Sequence, residues 1–152
     1  MLELKSEFLC ELVGDLEDPQ PLGMTPKGIR MIYPIVGGTV KGPKLSGKVL
    51  SFGADWLVVR SDGVGELDVR ATMRTDDGEL IYATYRGILK IDPDIMGRIQ
   101  NGEDIDPSQY YFRTTPVLET GSEKYSWLNQ IICVGIGKLE KNRVRYSVYQ
   151  IL

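Results

Sequence analysis

The sequence predicts an all-β fold: a single antiparallel β-barrel of about nine strands with one short helix, forming one domain over residues 1–152. Three observations predict it. Stretches rich in Val, Ile, Tyr and Thr alternate apolar with polar residues, the period of a strand that buries one face. Tight-turn signals, such as Ser61-Asp62-Gly63 and Asp76-Asp77-Gly78, separate them. The strand–helix–strand alternation that a parallel sheet requires is missing.

The elements follow in order. Residues 2–13 form a first strand, and the Pro- and acid-rich GDLEDPQPLG that follows reads as a loop. Residues 28–40 form a second, interrupted at Pro34, where an edge or a bulge is expected because proline cannot donate to a ladder. KLSGKVLSF and ADWLVVR read as the third and fourth. Residues 64–75 and 79–89 make a central hairpin, and QYYFRTTPVLET, SWLNQIICVGIGKL and RVRYSVYQIL complete the set. DPDIMGRIQNG reads as the helix, with Asp92 as its cap, Pro93 at its first position and Gly102 past its end.

The turns fix the register. Taking Asp76, Asp77 and Gly78 as a three-residue loop puts Thr75 opposite Glu79, Thr72 opposite Tyr82, Arg70 opposite Thr84 and Asp68 opposite Arg86. The same loop at Ser61–Gly63 puts Trp56 opposite Asp68. One face of three neighbouring strands then carries Trp56, Glu66, Asp68, Arg70, Thr72, Arg74, Tyr82, Thr84 and Arg86, and the other carries Leu57, Leu67, Val69, Ala71, Met73, Ile81, Ala83 and Tyr85. A one-residue slip would set Val69 opposite Arg86 and mix the faces.

The charged face admits two readings. It can be the solvated side of a sheet, where ion pairs contribute a few tenths of a kcal/mol. Or it can line a polar cup inside a calycin- or lipocalin-like barrel, with Asp68 paired to Arg86 and Arg70 to offset the several kcal/mol that each buried charge costs. The alternation is the same in both.

Composition excludes several chemistries. The chain has no histidine, which removes Ser-His-Asp and Cys-His nucleophile systems and histidine-ligated zinc or iron. Its net charge of −3 gives no basic footprint for nucleic acid. No apolar run approaches the ~20 residues that span a bilayer, and MLELKSEFLCEL lacks the pattern of a secretory signal. Cys10 and Cys133 stand far apart without a Cys-x-x-Cys motif, so a reduced, cytoplasmic protein is expected, with a disulfide between them left open. Gly42–Lys48 has the spacing of a phosphate loop, but Val49 replaces the required Ser or Thr and the following VLSF is strand-like. Glu103–Pro107 is a solvated acidic turn, without calcium-loop spacing.

GGTVKGPKLSGKVLSFGADW, RSDGVGELDVRATMRTDDGELIY, NGEDIDPSQYYFRTTPVLETG and YSWLNQIICVGIGK, in this order, resemble an uncharacterised bacterial and fungal family, domain of unknown function 3237. The resemblance implies a compact β-barrel and brings no activity, cofactor or catalytic residue. Its blocks fall on Asp55-Trp56, Asp62-Gly63, Leu67–Arg70, Asp76–Gly78, Tyr110–Thr114 and Trp127–Asn129, and this chain has Val69 where alanine is common. Polar residues within strands, namely Asp68, Arg70, Arg113 and Asn129, then favour the pocket reading.

On that reading the barrel interior binds a small polar or anionic organic molecule. Trp56, Trp127 and Tyr111 wall the site, and Arg70, Arg86, Arg113 and Asn129 hold its oxygens, guanidinium being suited to bidentate contact. Asp68 is the expected general base, although two nearby arginines would lower its pKa, and Tyr82 the donor or acid. Cofactor-free isomerisation, hydration or lyase chemistry beside a carbonyl fits these groups, with no cofactor or metal expected. The rival is a non-catalytic binding or oligomer-forming module, a dimer built on exposed strands such as RVRYSVYQIL. Whether the protein is an enzyme stays open at this point.

Overall fold

The computed structural model describes residues 1–152. Nine strands appear: β1 (Ser6–Leu16), β2 (Gln20–Thr25), β3 (Gly28–Lys41), β4 (Ser46–Val59), β5 (Gly65–Thr75), β6 (Leu80–Lys90), β7 (Tyr111–Glu119), β8 (Cys133–Glu140) and β9 (Arg143–Ile151). Eight of them close a barrel. The hydrogen-bonded order is β1-β9-β8-β7-β6-β5-β4-β3, and β1 pairs back onto β3, while β2 hangs on the first half of β3 as an extra strand. All pairings are antiparallel. The one α-helix, α1 (Pro93–Gln100), sits between β6 and β7. Asp92 caps it by accepting the Asp94 N–H at 2.8 Å, and Pro93 takes the first turn, where no amide hydrogen is needed.

The central hairpin has the predicted register: Asp68 lies opposite Arg86, Arg70 opposite Thr84 and Thr72 opposite Tyr82. Gly78 and Gly63 close their loops at φ +93° and +82°, in the region where glycine has no Cβ to strain. The strand count conceals two differences. KLSGKVLSF and ADWLVVR are one strand, β4, whose ladder to β5 shifts register between Val49 and Gly53. The break seen in the sequence is a bulge, with Gly53 at φ +127°. The ninth strand is instead β2, which starts inside the stretch expected to be a loop, residues 14–23, and runs two residues past it. Pro34 does mark an irregularity, since the β3–β4 register shifts between Pro34 and Thr39.

The interior corrects the expected polar cup. Val69, Met73, Ile81 and Ala83 of the central hairpin point into the lumen and are 2, 3, 0 and 1% exposed. They belong to a buried apolar cluster contributed by strands all around the barrel. Arg70, Arg74 and Arg86 are exposed on the outside. An eight-stranded barrel is just wide enough for side chains to fill, so the faces sort by the energy of burial: apolar inward, guanidinium outward.

The β7–β8 joint is short. Only Arg113–Ile136 and Thr114–Gly135 pair across it. Above them the Tyr110 hydroxyl takes the place of a ladder carbonyl, accepting the Leu139 N–H at 2.8 Å. The Phe112 ring fills the space over Gly137, where a Cβ would lie 2.5 Å from Cδ2 of the ring.

Candidate functional site

At one end the filling stops short and leaves a pocket of about 370 Å³. Its walls come from most of the strands. Met31, Leu57, Leu67, Leu89, Phe112 and Leu139 line it, α1 adds Met96 and Ile99 across the opening, and the β1–β2 and β8–β9 connections supply a charged rim. This volume lies in the range of small-molecule sites, which are apolar with a few placed polar groups. The rim holds Asp18, Glu140, Lys141 and Arg143. Arg143 is already engaged, its Nε donating to Asp15 Oδ1 at 2.7 Å. Glu140 likewise accepts from Arg145 at 3.0 Å.

The polar group in the depth of this pocket is Asp55. It shares the lumen face with Leu57 because strand side chains alternate, and it lies opposite Tyr33 on β3 and Val69 on β5. Its Oδ1 accepts the main-chain N–H of Asp68 at 3.1 Å. Burial among apolar walls pushes its pKa up to about 7, partly opposed by the Asp68 N–H, raised further by the Asp68 carboxylate and lowered by the Arg30 guanidinium. A carboxyl group that titrates near neutrality can both take and return a proton.

Tyrosines surround it. Tyr33 also lines the pocket, and burial, together with the Asp55 and Asp18 carboxylates, raises its pKa. Tyr85 lies opposite Val69 on the far side from Asp55, so Tyr33, Asp55, Val69 and Tyr85 form one layer around the wall. Tyr146 of β9 meets Tyr85 edge to face, with ring centroids 5.3 Å apart. Burial holds both phenols well above their ordinary pKa, so they remain protonated.

The residues singled out in the sequence lie elsewhere. Trp56 faces outward, with the Arg70 guanidinium 5.5 Å from its ring. Asp68 is half-buried on the outer face opposite Arg86, without an ion pair to it, and Tyr82 sits on the same face opposite Thr72 and Glu119. Arg86, Tyr111 and Arg113 do converge, in an open depression on the outside of the barrel, where Arg113 stacks over Tyr111 at 4.9 Å. Trp127 is half-buried with the Lys44 ammonium 5.9 Å from its ring. Asn129 clamps a turn: its Oδ1 accepts the Thr120 N–H at 2.8 Å and its Nδ2 donates to the Thr120 carbonyl at 2.9 Å. The structure therefore does not bring these residues together in the lumen.

The family model described as "Protein of unknown function (DUF3237)" matches residues 4–151. The chain belongs to the DUF3237 family. A UPF0311 protein of Rhodopseudomonas palustris strain CGA009 is 36% identical to this DUF3237 chain over 98% of its length and 97% of the relative's. The crystal structure of that Rhodopseudomonas protein, described as conserved and of unknown function, superposes with a TM-score of 0.93 over 100% of both chains. A β-barrel-like protein of Acinetobacter baumannii is 38% identical with a TM-score of 0.87, covering 100% of this chain and 98% of its own. A Penicillium herquei protein described as an enzyme shares the fold at 22% identity, with a TM-score of 0.74 over 100% of this chain and 97% of its own.

Sequence reasoning does not pick out Asp55, Tyr33, Tyr85 and Tyr146 of this DUF3237 barrel as functional residues, yet a signal for the first is present. In ADWLVV the alternation places an acid on the same face as Leu57 and Val59. A lone carboxylate in phase with apolar residues is the mark of a buried, tuned group. The many charges in phase with one another on β5 and β6 are the louder signal, and they mark a solvated face.

Proposed function

We propose that the barrel binds a small, largely apolar and uncharged organic molecule in its open end and moves a proton on it without a cofactor. The observation that carries this reading is Asp55, a carboxyl group near neutral pKa at the bottom of an apolar pocket of about 370 Å³. The reaction class is isomerisation, hydration or elimination beside a carbonyl. Asp55 takes the proton from carbon, and the Tyr33 hydroxyl, across the β3–β4 ladder from it, donates to the carbonyl oxygen as negative charge develops there. The electron pair of the broken C–H bond moves onto that oxygen, and return of the proton to a different carbon completes an isomerisation.

The pocket chemistry favours an uncharged ligand over the anionic one expected from the sequence. Its interior carries a carboxylate and no guanidinium, and the rim arginine is paired with Asp15. A carboxylate ligand placed beside Asp55 would raise the cost of ionising either group.

The test is hydrogen–deuterium exchange at the carbon beside the carbonyl in a panel of small cyclic ketones, followed by NMR in D₂O. The protein should accelerate exchange of at least one of them. Asp55→Asn should lower that rate by about 10²-fold or more, the usual contribution of a general base. Chemical-shift changes at the Met31 and Met96 methyls would report binding. Binding without exchange would make the protein a carrier, and no binding across the panel would remove the reading.

A further inference from the structure

Beneath Asp55, further into the barrel, lies a second and much smaller chamber of about 20 Å³. Its walls are apolar, from Ile35, Val49, Val69, Ala71, Met73 and Ala83 among others, and they are interrupted by three polar side chains, Asp55, Tyr85 and Tyr146. A water molecule needs at least ~10–15 Å³ of such space and two to four polar partners, and a smaller or wholly apolar void stays dry. This chamber meets both conditions.

The hydrogen-bonding capacity of the three groups points the same way. One oxygen of Asp55 is held by the Asp68 N–H. The other carboxyl oxygen has no protein donor within bonding distance. The two phenol rings meet edge to face, and neither hydroxyl bonds to a main-chain group. Two adjacent phenols can satisfy at most one hydroxyl hydrogen between them, which leaves at least one without an acceptor. Leaving such a hydrogen unpaired in an apolar interior is unfavourable, and a water that accepts it can donate onward to a carboxylate.

We infer that this chamber is a binding site for a single internal water that links the Asp55 carboxyl group to the Tyr85–Tyr146 pair. The water accepts from a phenol and donates to Asp55. It fixes the carboxyl plane from below, while the opposite side stays free for a ligand in the open pocket. Tyr85 and Tyr146 are then positioning residues that act on Asp55 through the water. Their effect on catalysis rests on Asp55 being the acid–base group, whereas the water site itself does not.

A crystal structure at a resolution that shows ordered water tests the site directly. The expected result is one density peak within hydrogen-bond reach of Asp55 and of at least one of the two phenol oxygens. A dry chamber overturns the inference whatever the outcome of the ketone experiments. The linkage is read by ¹³C NMR titration of the Asp55 carboxyl in the unliganded protein. Tyr85→Phe keeps the ring and removes the hydroxyl, and should move the Asp55 midpoint upward by about one pH unit, the effect of losing one hydrogen bond to a charged acceptor. Ala83→Val fills the chamber and should move it in the same direction. Tyr82→Phe, on the outer face of the same strand, should leave the midpoint in place. Equal midpoints in wild type, Tyr85→Phe and Ala83→Val would show that no water couples these groups. Should Ala83→Val fail to fold, the crystal density and Tyr85→Phe still decide.

Discussion

The main-chain N–H of Asp68 donates to Oδ1 of Asp55 at 3.1 Å across the β4–β5 joint. The side chain of Asp68 faces outward while its backbone steadies the one carboxylate that faces inward. Backbone support of this kind survives substitution of the Asp68 side chain. Asp68→Asn should therefore leave ligand affinity in the open pocket unchanged within about twofold, whereas Asp55→Asn should slow proton transfer by about 10²-fold or more. Parallel calorimetric titrations and exchange assays of the two variants check this. Loss of activity in Asp68→Asn alone would return the site to the outer face.

Stability should depend on pH through Asp55. Its folded pKa of about 7 stands above the ordinary value of 3.8. Between those values the folded state holds a proton that the unfolded chain releases, so this group's contribution declines as pH rises from about 4 to 7 and is level above that. The total is a few kcal/mol, since each pH unit separating the two values corresponds to about 1.4 kcal/mol. Asp55→Asn should raise the Tm at pH 8 and change it little at pH 4. Scanning calorimetry across that range reads the difference, and identical pH profiles for both proteins would contradict the burial argument.

The outer arginines should prove dispensable for the pocket. Arg70 is exposed beside Trp56, and Arg86 is exposed opposite Asp68. Arg70→Ala and Arg86→Ala should each change stability by less than about 0.5 kcal/mol and leave pocket affinity unaltered. Denaturant melts and ligand titrations of both variants would show it.

Asn129 should matter to stability and not to binding. Its two hydrogen bonds to Thr120 hold the connection after β7. Asn129→Ala should cost about 1–2 kcal/mol, since each bond contributes about 0.5–1.5 kcal/mol net. A chemical-denaturation series measures this directly.

Gly38 should be irreplaceable in the seam that closes the barrel. Its φ is +144°, and an added Cβ would collide with the Val13 carbonyl on β1. Gly38→Ala combines backbone strain with an overlap that neither strand can relieve without separating. Loss of several kcal/mol and weakened hydrogen-exchange protection in the β1–β3 pairing are the expected results.

The barrel is legible in the sequence because its strongest signals are local. Asp76–Gly78 and Ser61–Gly63 each set a hairpin register through a glycine conformation, and the central hairpin forms as its side-chain pattern demands. The bulge in β4 looks like a strand end because a glycine and an exposed Phe52 interrupt its alternation there. β2 is hidden by Pro19 and Pro21, which read as loop residues, although an edge strand paired on one side needs few ladder donors. Which face of the hairpin turns inward is not local information. Both faces suit a strand, and only the width of the closed barrel, set by all eight strands together, decides that the lumen is packed with aliphatic side chains. The charged residues singled out on β5 and β6 face outward for that reason, and Asp55 is overshadowed by its larger neighbour Trp56.

The Tyr110 hydroxyl that stands in for a missing ladder carbonyl leaves the β7–β8 boundary with a single phenol stitch above two paired positions. A hoop under thermal stress parts where its stitching is thinnest. Amide exchange should therefore be faster along this seam than in the fully paired β5–β6 hairpin, even though Phe112 packs over Gly137 beside it.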